Sequence, residues 1–130
     1  PAAPAAGAQV RILNRSRDRA EALAADLGPS VRAVGTAGAF EGAALVINAL
    51  SVSPDIDLAH LAAGTVVMDM TYRPVVTPFL AAAQALGLTT VDGLDMLIGQ
   101  AGPSFEAIFG RPPPPLDLRG LLLAHPGVAA

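Results

Sequence analysis

The sequence predicts an α/β fold, doubly wound around a mostly parallel sheet with helices on both faces. Three observations lead there: short apolar runs without clean polar alternation recur along the chain, segments of helical spacing separate them, and Gly or Pro punctuates the junctions. The chain has 130 residues, is 52% hydrophobic and 15% charged, and has a mean hydropathy of +0.51. It can therefore bury a real core and is not a disordered, highly charged segment.

The elements follow in order. Gln9 to Asn14 holds Val10, Ile12 and Leu13 and reads as a strand. Ser16 then offers an N-cap, with Asp18 in the first turn where the helix dipole favours a carboxylate. Ala20, Leu23, Ala24 and Leu27 recur at helical spacing until Gly28 and Pro29 supply the stop. Val31 to Val34 is a weaker strand, Ala44 to Ala49 an apolar strand ending near the polar Asn48, and Thr65 to Met70 another ending near Asp69. Thr77 to Leu86 has a helical pattern with Pro78 in the tolerant first turn and Gly87 as the stop. Leu88 to Val91 is a further short strand. A longer helix is expected from about Leu94 to Phe109, bent or weakened by Gly99, Gly102 and Pro103. RPPPPLDLRG reads as a rigid extended connector with a short closing helix near Leu121, within a closing segment of about residues 112–130.

In open α/β sheets ligands sit outside the carboxyl ends of the strands. The polar residues at those ends are Asn14, Asn48 and Asp69, so the three are expected to line one crevice.

Composition removes several function classes. There is no Cys, hence no disulfide framework, thiolate metal site or cysteine nucleophile. All eight basic residues are arginine, so a lysine base, Schiff-base lysine or P-loop lysine is not supplied by this chain. A net charge of −3 without an aromatic stacking row argues against a nucleic-acid surface. The longest apolar stretches, such as Val75 to Leu88, are interrupted and too short to span a bilayer, and no basic region precedes an apolar run as in a signal peptide. The chain starts at Pro1, which reads as a cut or processed start. His60 and His125 stand far apart and do not make a metal site, Asp55 and Asp57 read as a solvated turn, and no GxSxG elbow occurs. No metal is expected.

Chemistry concentrates in Asn14-Arg15-Ser16-Arg17-Asp18-Arg19, which places three arginines beyond a strand end and at a helix N-terminus. Guanidinium forks and free backbone N–H groups suit a phosphate, such as the 2′-phosphate of an adenine dinucleotide. An NAD-selective strand end carries Asp or Glu for the ribose hydroxyl, whereas this one carries Asn14, which favours NADP. Taken alone, the cluster is more commonly a surface helix that merely starts with arginines, balanced by Asp18 and Glu21.

Four motifs in order resemble the nicotinamide-binding half of the shikimate dehydrogenase family, over about Gly7 to Pro113. NRSRDRAEALAADLG (Asn14 to Gly28) is similar to the family's NRTxxRAExLA stretch, VINA (ending at Ala49) to the next strand end, DMTYRPVVTPFL (Asp69 to Leu80) to DxxYxPxxTPLL, and VDGLDMLIGQA (Val91 to Ala101) to the GxxML...Q segment. The resemblance implies a Rossmann-like domain binding NADP, with Asn14, Arg15, Ser16 and Arg19 at the 2′-phosphate and Asn48, Ala49, Ser51 and Met70 along the cofactor. It further implies that the Gly93 backbone meets the nicotinamide amide, that Met96 packs on the ring, and that Tyr72 and Gln100 reach the substrate. Read without the family, Tyr72 is a loop tyrosine, Gln100 a mid-helix polar residue and Met96 core.

The sequence also departs from that pattern. No GxGxxG loop occurs, and PAAPAAGAQ looks like the end of the helix that should follow one, which suggests that the first strand lies upstream of Pro1. Residues 1–130 are then an N-terminally incomplete NADP-binding domain, and a parallel sheet without that strand would leave an apolar edge uncovered. Leu50-Ser51-Val52 stands where the family usually has Thr and a nearby Gly, and Asp95 replaces a common Gly. The family's catalytic Lys and Asp belong to a preceding substrate-binding domain, so no catalytic residue is expected in this chain. The implied activity is NADP-dependent interconversion of 3-dehydroshikimate and shikimate in the cytoplasm, as part of aromatic amino acid biosynthesis, with a homodimer left open. The alternatives are a quinate dehydrogenase paralogue, a glutamyl-tRNA reductase, and a non-catalytic ligand-binding or regulatory module of the same shape.

Overall fold

A computed structural model describes residues 7–125. Of the helix end read into PAAPAAGAQ, residues 1–6 lie outside the described residues, as do residues 126–130 of the closing segment, while Gly7, Ala8 and Gln9 form a turn and irregular chain rather than helix. The chain divides into two compact units, one ending at Glu41 and the other beginning at Gly42.

The first unit is a strand, a helix and a parallel strand: β1 (Val10–Ile12), α1 (Arg17–Leu27) and β2 (Val31–Ala33). Val10 pairs with Val31 and Ile12 with Ala33, and the ladder is continued by bonds from Val10 N to Ser30 O (2.8 Å) and from Val34 N to Ile12 O (3.0 Å). Parallel neighbours require a crossover, which α1 provides. Ala20 and Ala24, one turn apart, are buried, whereas Leu23 is exposed. At 3.6 residues per turn Leu23 points about 60° away from Ala20, at the margin of the stripe. Gly28 ends the helix at φ 96°, a conformation that L side chains rarely adopt, and its N–H returns to Ala24 O at 3.1 Å.

The second unit carries β3 (Leu45–Asn48), β4 (Val66–Asp69) and β5 (Thr89–Val91), paired in that order and all parallel, with α2 (Pro78–Ala85) crossing between β4 and β5. α2 buries Phe79, Leu80 and Ala83 against the sheet, where they join Val46, Val67 and Leu88. Thr77 caps α2 through its side chain and Pro78 occupies the first turn, where its missing N–H costs nothing. The parallel strands and helices agree with the α/β class read from sequence. The strands, however, form two ladders, and burial along β3 alternates although its sequence is almost continuously apolar: Val46 and Asn48 are buried, while Leu45 and Ile47 remain 51% and 49% exposed.

α3 (Gly93–Phe109) and α4 (Leu118–Leu123) close the described chain. α3 spans the expected run and continues through Pro103, where a bend or weakening is expected. A proline forfeits one helical bond, here to Gly99, and the turns on both sides carry the helix. α4 starts inside the stretch read as an extended connector, because Asp117 caps it by accepting from Gly120 N at 2.9 Å.

Candidate functional site

Asn48 and Asp69 end neighbouring strands in register, and both are buried, Asp69 completely. Three donors converge on the Asp69 carboxyl: Asn48 Nδ2 (3.1 Å) and the Thr71 backbone N–H (2.9 Å) to Oδ1, and Thr77 Oγ1 (2.7 Å) to Oδ2. Thr77 Oγ1 in turn accepts from Leu80 N, capping α2. Asn48 also donates to Val52 O and accepts from Leu50 N, while Thr71 Oγ1 reaches Leu50 O at 3.5 Å. A buried acid without partners would be costly, and here every bond it makes also shapes a loop. The network thereby sets the turns that leave β3 and β4.

Those two turns form the walls of an open recess of about 440 Å³ lined by Ala49, Leu50, Ser51, Met70, Thr71, Tyr72 and Arg73. Tyr72 is 43% exposed, and the Arg73 guanidinium lies 5.7 Å from its ring centroid. The recess holds Ala49, Ser51, Met70 and Tyr72 of the residues singled out from sequence. Asn48 lies beneath it, committed to Asp69.

α3 starts against this recess. A β-carbon on Gly93 would fall 2.5 Å from the Thr71 carbonyl oxygen and 2.6 Å from that of Met70, so only glycine permits the approach. Asp92 caps α3 by accepting from Asp95 N at 2.9 Å. Arg119 of α4 grips Asp92 with two bonds, of 3.2 and 2.7 Å, and Asp95 with one of 2.6 Å. The hydrogen bond from Arg119 holds the Asp92 carboxyl below the usual carboxylate range, against the opposing effect of burial. Met96 is half-buried on α3, and Gln100 is exposed one turn further along; neither lines the recess.

The first unit presents a separate group. Asn14 Oδ1 accepts from Ser16 N at 3.0 Å, shaping the turn into α1. Ser16 occupies the cap position but makes no side-chain bond, which leaves the amides of the first turn unclaimed by it. Arg17 is paired with Glu21 at 2.7 Å. Arg15 and Arg19 are exposed, and among the described residues neither has a side-chain hydrogen bond or ion pair.

Among the described residues no three His, Asp or Glu side chains stand together as a metal site, and no helix is long and apolar enough to cross a membrane. Thr77 and Asp92 lie within the family-like stretches without a role assigned to them, and Arg119 lies outside all of those stretches; these three shape the site in addition to the residues singled out above. Thr77 and Asp92 carry a local signal, a polar residue immediately before a helical run. Arg119 has none, since its partners lie 24 and 27 residues away.

Parallel strands joined by crossover helices, with polar residues gathered at the carboxyl ends, define a Rossmann-like α/β protein. Comparison with known proteins specifies it further, although no family model matches the chain. It is 46% identical over 126 residues to the shikimate dehydrogenase (NADP(+)) of Paramagnetospirillum magneticum, covering 89% of this chain and 46% of the relative. It is 43% identical over 128 residues to that of Maricaulis maris, covering 91% and 46%. Among solved structures, shikimate 5-dehydrogenase from Thermus thermophilus, in complex with NADP(H) and shikimate, superposes with a TM-score of 0.73 at 35% identity, over 84% of this chain and 43% of that one. The chain is a homologue of the shikimate dehydrogenases. It spans a little under half the length of the curated relatives it matches.

Proposed function

We propose that this chain is the cofactor-binding part of an NADP-dependent oxidoreductase that interconverts 3-dehydroshikimate and shikimate. The observation that supports this reading is the pair Arg15 and Arg19, exposed and, among the described residues, without side-chain partners, beside a helix start whose cap side chain makes no hydrogen bond there. Two guanidinium groups with free amides suit a phosphate monoester, and the absence of a carboxylate at Asn14 removes the usual acceptor for an unphosphorylated ribose. The relatives named NADP(+) dehydrogenases support it.

NADP, when bound, supplies the hydride chemistry. In this reading Asn14, Arg15, Ser16 and Arg19 hold the 2′-phosphate, while Asn48, Ala49, Ser51 and Met70 follow the cofactor. Gly93 and Met96 meet the nicotinamide, and Tyr72 and Gln100 orient the substrate's hydroxyl or carboxylate groups. The chain has no lysine, so the lysine–aspartate pair implied by the family is assigned to a substrate-binding domain preceding this one. A cytoplasmic location goes with this assignment.

Titration with NADPH and NADH tests the reading. Tighter binding of NADPH is expected, together with about a 10- to 100-fold loss of NADPH affinity in Arg15→Ala and little change for NADH, since one charge-assisted bond contributes about 1.5–3 kcal/mol. Equal affinity for the two cofactors, or an unchanged NADPH affinity in the variant, would sink it.

A further inference from the structure

The most heavily bonded cation among the described residues is Arg119, which none of the family-like motifs includes. Its guanidinium forks onto both oxygens of Asp92 and also reaches Asp95, so α4 is tied to the first turn of α3 by three charge-assisted bonds. The side chains are partly withdrawn from water, 38% exposed for Arg119 and 14% for Asp92, which sets this pair apart from the more exposed pair of Arg17 and Glu21, at 73% and 53%. Bidentate geometry fixes orientation as well as distance, which a lysine's point charge would not do.

What that clamp holds in place is the contact between α3 and the recess. Asp92 immediately precedes Gly93, and Gly93 packs so closely on the Met70 and Thr71 carbonyls that no side chain fits. Those carbonyls belong to the turn that lines the recess beside Tyr72. A rotation of the first turn of α3 would therefore push on, or pull away from, the recess wall. Asp95 adds a second reason for the clamp, because it places a carboxylate in the same turn, and Arg119 offsets its charge.

We propose that Arg119 is a positioning residue for the recess: by clamping Asp92 and Asp95 it holds the first turn of α3 against the Met70–Thr71 backbone. Its effect on cofactor binding rests on the NADP reading above; its effect on the recess does not.

The test combines amide hydrogen exchange with NADPH titration of the wild-type chain, Arg119→Ala and Arg119→Lys. The reporting amides are those of Asp95 and Met96 in α3, and of Met70 and Thr71 in the turn, where bonds to Asp92, Asn48 and Asp69 protect them. Arg119→Ala is expected to speed exchange about tenfold or more at both pairs, to leave the β1–β2 ladder unchanged, and to weaken NADPH several-fold. Arg119→Lys, which keeps the charge without the fork, should fall between. If Arg119→Ala does not fold, Arg119→Lys and Asp95→Asn carry the test with smaller shifts in the same direction.

Faster exchange confined to Asp95 and Met96, with Met70 and Thr71 unaffected, would reduce Arg119 to a local helix clamp and overturn the proposal. Unchanged NADPH affinity in Arg119→Ala alongside tight binding by the wild type would overturn it as well. Coupled exchange at both pairs in a chain whose wild type binds no NADPH would support the positioning role while removing the cofactor reading.

Discussion

Thr77 hydroxyl chemistry links two structural tasks in one atom. Oγ1 donates to the buried Asp69 carboxyl at 2.7 Å and accepts from Leu80 N to cap α2. Thr77→Val keeps the shape but strands the carboxyl oxygen, so a loss of about 2–3 kcal/mol is expected in urea denaturation, with Thr77→Ser largely retaining stability. Asp92 gives a different signature. Its pKa is lowered on folding, chiefly by Arg119, so the pair stabilises the fold at pH above the ordinary carboxylate value of about 4 and loses that contribution as pH falls through the lowered folded-state value. Unfolding free energies measured from pH 7 to pH 2 should decline less steeply at the acid end in Asp92→Asn than in the wild type. An identical acid slope in the two proteins would contradict the assignment.

Within a single element, α3 offers an internal control. Gly93 and Gly99 are both glycines in one helix, yet a β-carbon at Gly93 meets two carbonyl oxygens and one at Gly99 meets open space. Gly93→Ala is expected to destabilise by about 1–3 kcal/mol through overpacking, whereas Gly99→Ala should stabilise by about 0.5–1 kcal/mol through helix propensity. Thermal unfolding of the two variants checks the opposite signs. The helix starts were readable before the structure because their signals are local: Thr77-Pro78 at α2, Asp18 inside the first turn of α1, and the glycine stops after α1 and α2. The run of α3 to Phe109 is legible in the same way, whereas the early start of α4 at Leu118 is not, since it depends on how Asp117 shares its hydrogen bonds with the turn that follows.

For the molecule as a whole, the uncovered apolar side chains on β3 have a measurable consequence. Leu45 and Ile47 project on the face opposite Val46 and Asn48 and are half exposed. Leu45→Thr combined with Ile47→Thr should lower the binding of a hydrophobic-surface dye while changing stability by no more than about 0.5 kcal/mol per site. A large loss of stability would mean that this face is packed.

The sequence by itself determined the parallel α/β class, the order of strands and crossover helices, and the arginine-rich helix start, because hydrophobic period, caps and glycine stops act over a few residues. The tertiary structure alone decided that Asn48, Asp69 and Thr77 share one buried network, that Arg119 closes on Asp92, and that one face of an evenly apolar strand is the buried one. Those outcomes join positions up to 27 residues apart, through hydrogen bonds that no local pattern encodes and that exist only once the strands lie in register.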